Sequence, residues 1–232
     1  MKGLMFSEEM FNAVIEGRKT QTRRIMKQQP EDKDMLPHVC YNGDKQIGYK
    51  FITTPPIGVV KESKLFKPRY KVGETVYIKE PYVAGTRGLN IYKYPPHECT
   101  SEYDREMNDL RGKKWQNKLF MPERHARCFI EITAVRCERL QDISDEDCLK
   151  EGIIETDSIN DRYFNNVYEN GLNSTKINNG FLLIQYDTPQ QAYAALFDSI
   201  NGKGSWESNP YVWSYSFILK KQPKIRITKI LI

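Results

Sequence analysis

Histidine and cysteine are scarce in this chain, and no long apolar run is present. The three histidines, His38, His97 and His125, lie far apart and without ligand spacing. That argues against a zinc site, and no metal or cofactor is expected. The five cysteines, Cys40, Cys99, Cys128, Cys137 and Cys148, are odd in number and contain no CxxC pair. Reduced thiols in a cytoplasmic setting follow, with the cysteines buried as small hydrophobes. No apolar stretch approaches the roughly 18 residues that span a bilayer, and no secretory leader opens the sequence. A membrane partner is therefore not expected.

What is present describes a folded protein. Of 232 residues, 39% are hydrophobic and 28% charged, a balance that supports a packed core rather than disorder. Aromatics make up 12%, with 14 tyrosines. They favour a β-rich core and also supply surfaces on which bases can stack. The net charge is +5, too small to diagnose nucleic-acid binding, but its distribution is uneven. Residues 111–127 carry six basic side chains against Glu123, and residues 142–161 carry eight acidic ones against Lys150. Basic segments that share a face would give the molecule one positive side.

The basic feature around which the chain is organised is Gly17-Arg18-Lys19-Thr20-Gln21-Thr22-Arg23-Arg24, which has no apolar side chain. Five basic residues and no acidic one lie between Gly17 and Lys27. Such a run repels itself unless solvent, a carboxylate or a phosphate answers it. It reads either as a solvated loop or as an anion site that also holds a lysine and two threonines fit for nucleophilic chemistry.

The elements around it follow from pattern. Lys2 to Phe6 reads as a strand. Ser7 caps a short helix whose Met10, Phe11, Val14 and Ile15 share a face, and Gly17 ends it in a left-handed turn. Residues 27–70 are broken by prolines and glycines and read as irregular, with a strand within Gly48 to Thr53. Thr75 to Lys79 alternates as a half-buried strand, placing Glu80 at its end before Pro81. Residues 82–120 are loop-rich, with a helix over Glu102 to Leu110. Cys128 to Val135 is the strongest strand, with Cys128, Ile130, Ile132 and Ala134 on one side, and it continues toward Arg139. Ser144 opens a short helix ending at Gly152. Gln190 to Ile200 is an amphipathic helix with Ala194, Leu196, Phe197 and Ile200 inward. Tyr211 to Leu219 and Ile225 to Ile232 read as closing strands. Short strands outnumber helices without βαβ rhythm, so the fold class is α+β, mainly β: a small, partly closed β-barrel with peripheral helices. One domain over 1–232 is expected, with insertions near 27–70, 82–120 and 153–185.

The run Gly17 to Arg24 resembles the signature of the ASCH domain family, whose fold is similar to the PUA domain. Val72 to Glu80 resembles the family's second motif. Ile130 to Ala134, followed by Leu140 to Ser144, resembles the third. Asp198 to Gly202 with Trp206, Asn209-Pro210 and Trp213 is similar to the ending of larger phage and prophage members. The resemblance implies a five- or six-stranded barrel with a cleft for RNA or a modified nucleoside. Small bacterial members hydrolyse the acetamide of N4-acetylcytidine with a lysine, a threonine and a glutamate. Matched motif to motif, these fall on Lys19, Thr22 and Glu80. Thr22 would attack the amide carbonyl, Lys19 would serve as base, and Glu80 would orient the lysine or handle the leaving-group proton. Arg18, Arg23, Arg24, Tyr82, Arg124 and Arg127 would bind an anionic substrate or a base. The alternatives are a module that binds RNA or single-stranded nucleic acid without chemistry, a ribonuclease, and a protein that binds a phage or host partner.

Overall fold

The computed structural model describes residues 1–31, 35–53, 60–84, 90–92, 114–157, 162–165, 176–177, 180–181 and 186–220. The expected helix at Glu102 to Leu110 and the expected strand at Ile225 to Ile232 lie outside them. The structure is mixed α and β, with strands predominant. Strand β1 (Lys2–Met5) leads through helix α1 (Glu8–Ile15) to β2 (Gln21–Ile25). Ser7 caps α1 by accepting from the Met10 N–H at 3.3 Å, and Glu8 and Glu9 occupy the positive end of the helix dipole. Met10, Phe11, Ala13 and Val14 are its buried residues. Gly17 follows with φ +78°, a conformation that a Cβ would strain.

The residues expected to begin a polar loop instead become a strand. β2 pairs antiparallel with β13 (Tyr211–Lys220), so that Thr22 lies opposite Tyr215 and Arg24 opposite Trp213. The central sheet runs β1-β5-β8-β13-β2, with β5 at Thr75–Lys79 and β8 at Phe129–Arg139. β1 and β5 are parallel and the remaining pairs antiparallel. The expected barrel closure is not found: among the described residues β1 and β2 are the two edges of an open sheet. A side chain joins them where a ladder would be needed, with Arg24 Nη2 donating to the Met5 carbonyl at 2.8 Å.

β8 departs from simple alternation. Ile130 and Ile132 are buried, but so are Val135 and Cys137, while Ala134 is only half-buried. The register explains the switch: Ser216 lies opposite Ala134 and Phe217 opposite Ile132, leaving Thr133 without an opposite number. This β-bulge inverts the facing of every later side chain. On its other side β13 keeps register with the chain entering β2, and the Phe217 N–H donates to the Thr20 carbonyl at 2.9 Å at the corner before that strand.

The stretch 27–70, expected to be irregular, contains a hairpin of β3 (Leu36–Asn42) and β4 (Lys45–Ile52) turned at Gly43, φ +58°. It covers one face of the sheet. The Phe51 ring packs edge-on to Tyr211 at 4.6 Å, and the Tyr49 hydroxyl donates to the Val135 carbonyl at 2.9 Å. Gly48 is required here by space, since a Cβ would come within 2.3 Å of the Phe66 carbonyl oxygen. Smaller ribbons form between β6 (Tyr82–Ala84) and β7 (Asn90–Tyr92), between β9 (Ile154–Asp157) and β10 (Arg162–Asn165), and between β11 (Lys176–Ile177) and β12 (Gly180–Phe181).

Helices α2 (Asp145–Lys150) and α3 (Pro189–Asn201) pack against each other. Ser144 caps α2 through the Asp147 N–H, and Gly152 ends it at φ +102°. In α3, Ala192, Tyr193, Leu196 and Phe197 are buried, but Ile200, expected inside, is 49% exposed. Ile200 continues the same i, i+3, i+4, i+7 stripe, but it sits in the last turn of the helix and lines a cavity instead of packing into the core. Trp213 is buried and Trp206 packs partly buried against the core, as expected for large aromatics. Cys128, Cys137 and Cys148 are buried free thiols, and burial pushes the last two up to about 12, where they are chemically quiet. No helix among the described residues is long and apolar enough to cross a membrane.

Candidate active site

The corner Gly17–Thr20 is fixed at its backbone before any side chain acts. The Lys19 N–H donates to the Ala13 carbonyl at 2.9 Å, and the Thr20 N–H donates to the Lys150 carbonyl at 2.9 Å. The Thr20 C=O accepts from the Phe217 N–H of β13. Three elements, α1, α2 and β13, therefore position the segment that carries Lys19 and Thr22.

Lys19 is 4% exposed. Its Nζ donates to Glu151 Oε2 at 2.6 Å and to the Glu151 carbonyl at 2.7 Å. Burial lowers its pKa below the usual lysine range; the Glu151 carboxylate opposes that shift, and Arg24 and Arg23 add to it. Thr22 is buried, and among the described residues its side chain makes no hydrogen bond. Lys19, Thr22 and Glu151 line one cavity of about 280 Å³, with Arg24, Lys118 and Tyr193 also on its wall.

Glu80 is elsewhere. The strand β5 does end at it, and it is fully buried, but its carboxylate receives a two-pronged contact from Arg127: Nε to Oε1 at 2.8 Å and Nη2 to Oε2 at 2.7 Å. Burial raises the Glu80 pKa, and the Arg127 hydrogen bond and charge oppose the rise. Its backbone N–H points at Met121 Sδ, 3.3 Å away. The carboxylate that meets Lys19 is Glu151, and Glu80 is not among the residues lining the Lys19 cavity. The glutamate expected from the motif, Glu80, ends strand β5, whereas the one that meets Lys19, Glu151, ends helix α2. A local signal for Glu151 did exist. It is an acidic residue at the C-terminal end of α2, where the helix dipole disfavours a carboxylate unless a cation is near.

The remaining expected binding residues divide sharply. Arg23 is buried and takes carboxylates from three residues, at 2.7 Å from Glu138, 2.9 Å from Asp147 and 3.3 Å from Glu151, while its Nη1 donates to Gln21 Oε1 at 2.6 Å. Burial would lower its pKa, but these carboxylates outweigh it and keep the guanidinium charged. Arg136 joins the same group through Asp147 at 2.5 Å and Glu138 at 3.3 Å. Burial pushes the Asp147 carboxyl up, and the two arginines more than offset this, holding it below its usual range. The acidic stretch 142–161 thus answers the basic run with Asp147 and Glu151. Arg23 is the hub of that network, not a surface ready for substrate.

Arg24 is half-buried over the Phe6 ring, 5.5 Å from its centre. Arg18 is exposed and paired with Glu16. Tyr82 is buried and stacked on His125 at 5.0 Å, so that its face is already occupied on that side. Arg124 is exposed, with Nε donating to His125 Nε2 at 3.3 Å. Arg127 lies 5.6 Å from the centre of the Phe11 ring as well as on Glu80. Of the expected set, Lys19, Thr22, Arg23 and Arg24 come together at the cavity; Glu80, Arg127, Tyr82 and Arg124 do not line it. Among the described residues no cluster of three or more His, Cys, Asp or Glu is arranged to hold a metal ion.

Comparison with known proteins gives no match: no family model, no curated protein and no solved structure corresponds to this chain.

Proposed function

We propose that the chain is an ASCH-type protein with a PUA-like architecture, and that the Lys19 cavity is the site of an amidohydrolase acting on the acetyl group of an N4-acetylated cytidine. The observation that carries this reading is a buried lysine, its pKa lowered, sharing a small cavity with a threonine hydroxyl and a carboxylate. Buried lysines are costly, and those kept beside a nucleophile in a cleft are candidates for proton transfer. In this reading Glu151, whose carboxylate lies 2.6 Å from Lys19 Nζ, takes the role expected of Glu80.

The reaction divides into balanced steps. Thr22 Oγ attacks the acetamide carbonyl as Lys19, in its neutral form, takes the hydroxyl proton. Arg24, at the cavity wall, supplies positive charge for the oxyanion. Collapse breaks the C–N bond, and the Lys19 ammonium returns the proton to the leaving exocyclic amine of cytidine. Water then cleaves the acetyl-threonine with Lys19 again as base, releasing acetate and the free hydroxyl. Glu151 holds the Lys19 amine in place through each transfer. A cavity of about 280 Å³ suits a single base with a small substituent, just below the range of about 300 to 1,000 Å³ common for small-molecule sites.

The test is acetate release from N4-acetylcytidine by the purified chain and by Lys19→Ala, Thr22→Ala and Glu151→Gln. Loss of turnover in all three supports the assignment. Turnover unchanged in Thr22→Ala removes the threonine as nucleophile, and no turnover by the wild-type chain removes the deacetylase reading.

A further inference from the structure

We propose that the Tyr193 hydroxyl is the hydrogen-bond donor that grips the acyl oxygen of the substrate in the Lys19 cavity, first as the amide carbonyl and then as the oxyanion. The inference rests on the acyl-transfer reading above. It extends that reading to α3, a helix far along the chain from the segment that carries Lys19 and Thr22.

Tyr193 is 2% exposed and lines the Lys19 cavity. Its ring is fixed by its neighbours: it meets Trp206 edge-on with 6.1 Å between ring centres and lies tilted against Phe197 at 5.9 Å. The hydroxyl has no such neighbour. Among the described residues it neither donates nor accepts a hydrogen bond, and its oxygen is not one of the fully enclosed polar atoms. It therefore opens onto the cavity. The Thr22 hydroxyl on the same wall shares both properties. An unmet hydroxyl in a protein interior costs about 1–3 kcal/mol, and buried tyrosines ordinarily find a partner. Tyr49, Tyr70, Tyr77 and Tyr211, also buried, each donate to a main-chain carbonyl. The bond that Tyr193 does not make within the protein is left for what enters the cavity.

The place of Tyr193 on its helix selects the acyl oxygen. Leu196, Phe197 and Ile200 follow at i+3, i+4 and i+7 and give the wall its apolar part. Burial, and next the Glu151 carboxylate, hold the phenol well above its ordinary pKa, while Arg23 and Arg24 oppose the shift. Those charges belong to the Lys19–Glu151 end of the cavity, where the acyl group must lie for Thr22 to attack it. Lys19 is shifted the opposite way. Over a range of pH the amine is thus neutral and able to take a proton while the phenol keeps its own. A group that stays protonated there donates, and does not compete as base or nucleophile. Arg24 brings charge, but its Nη2 already donates to the Met5 carbonyl; the phenol brings a directed bond. Its proton stays on its oxygen throughout, so the balance of the reaction steps is unchanged.

The experiment uses the full chain and N4-acetylcytidine labelled with carbon-13 at the acetyl carbonyl. Isotope-edited infrared difference spectra read the carbonyl stretch of the ligand bound to Thr22→Ala, which lacks the nucleophile, and to Thr22→Ala/Tyr193→Phe. Acetate release by Tyr193→Phe is measured in parallel. The expected result is a carbonyl band at lower frequency in Thr22→Ala than in the double variant. Tyr193→Phe should lower kcat by about 10²-fold or more with KM within about threefold of wild type. A tyrosine that only packed would change the urea midpoint without moving the band. Replacement by 3-fluorotyrosine, which keeps the ring and makes the phenol a stronger donor, is the second variant should Tyr193→Phe fail to fold; it is expected to push the band lower still. An unmoved band, kcat within about twofold of wild type in Tyr193→Phe, or no binding of the acetylated nucleoside overturns the contact. A band that depends on Tyr193 with no acetate release by the wild-type chain leaves the contact standing and removes the hydrolase. Acetate release with an unmoved band does the reverse.

Discussion

The Lys19–Glu151 pair and the Arg127–Glu80 pair are both buried, and a sequence reading gives no obvious way to rank them. Their side chains are 4% and 5% exposed in the first, and 10% and 0% in the second. The cations differ in kind. Arg127 grips Glu80 with two parallel hydrogen bonds and cannot give up a proton at any pH a protein survives. Lys19 offers a single ammonium, already biased toward neutrality, at the wall of a cavity that also holds a hydroxyl. On the proposed reading two ion pairs of similar burial do different work: one fixes the end of β5, and the other serves proton transfer. The choice of cation and the presence of an adjoining cavity separate them better than the carboxylate does.

The comparison is broken most directly by Thr22→Ala, which should lower kcat by about 10³-fold or more while leaving the unfolding free energy within about 1 kcal/mol of wild type; acetate release and urea denaturation measure the two. Glu151→Gln should lower kcat by about 10²-fold or more by loosening the base. Glu80→Ala should show the opposite pattern. Arg127 loses its buried partner, stability falls by about 3–5 kcal/mol, and kcat per folded molecule is retained at a permissive temperature. If Glu80→Ala abolishes turnover in folded protein, the division drawn here fails.

Acidity sharpens it further. The folded Lys19 pKa lies below 10.5, so the alkaline rise in kcat/KM should have its midpoint below the usual lysine value, and Glu151→Gln should move it lower still by removing the charge that opposes the shift. The stability sign follows from the same shift. Between the folded Lys19 value and 10.5 the unfolded chain binds more protons, so stability should rise with pH across that window, and Lys19→Met should flatten that rise in denaturation curves. The smallest effect belongs to the surface. Lys150 pairs with Glu146 one turn away at 2.7 Å, and because that pair is solvent-exposed Lys150→Ala should leave the denaturation curve indistinguishable from wild type.

Much of the scaffold was legible because local chemistry announced it. Ser7 and Ser144 cap the helices expected of them, Gly17 and Gly152 end those helices, and Thr75–Lys79 and Tyr211–Lys220 are strands as their alternation requires. What pattern could not supply was pairing across distance. The polar run Gln21–Ile25 lacks the apolar alternation of a strand, yet it becomes one because Tyr211–Ser216 offers a partner and Arg23 finds three carboxylates. The bulge at Thr133 depends on register with Ser216 and Phe217, which the β8 sequence alone does not encode. Lys19 and Thr22 were identified by residue type within one short motif. Glu151 escaped because it lies 132 residues from Lys19, and only the docking of α2 against the corner brings the two together.

The unjoined margin between β1 and β2 has a mechanical consequence. Edges held by a main-chain ladder part only when a whole row of bonds is lost, whereas here Arg24 reaching to Met5 is a latch with a single bolt. A guest that takes Arg24 as its partner therefore competes for the same side chain that fastens this margin.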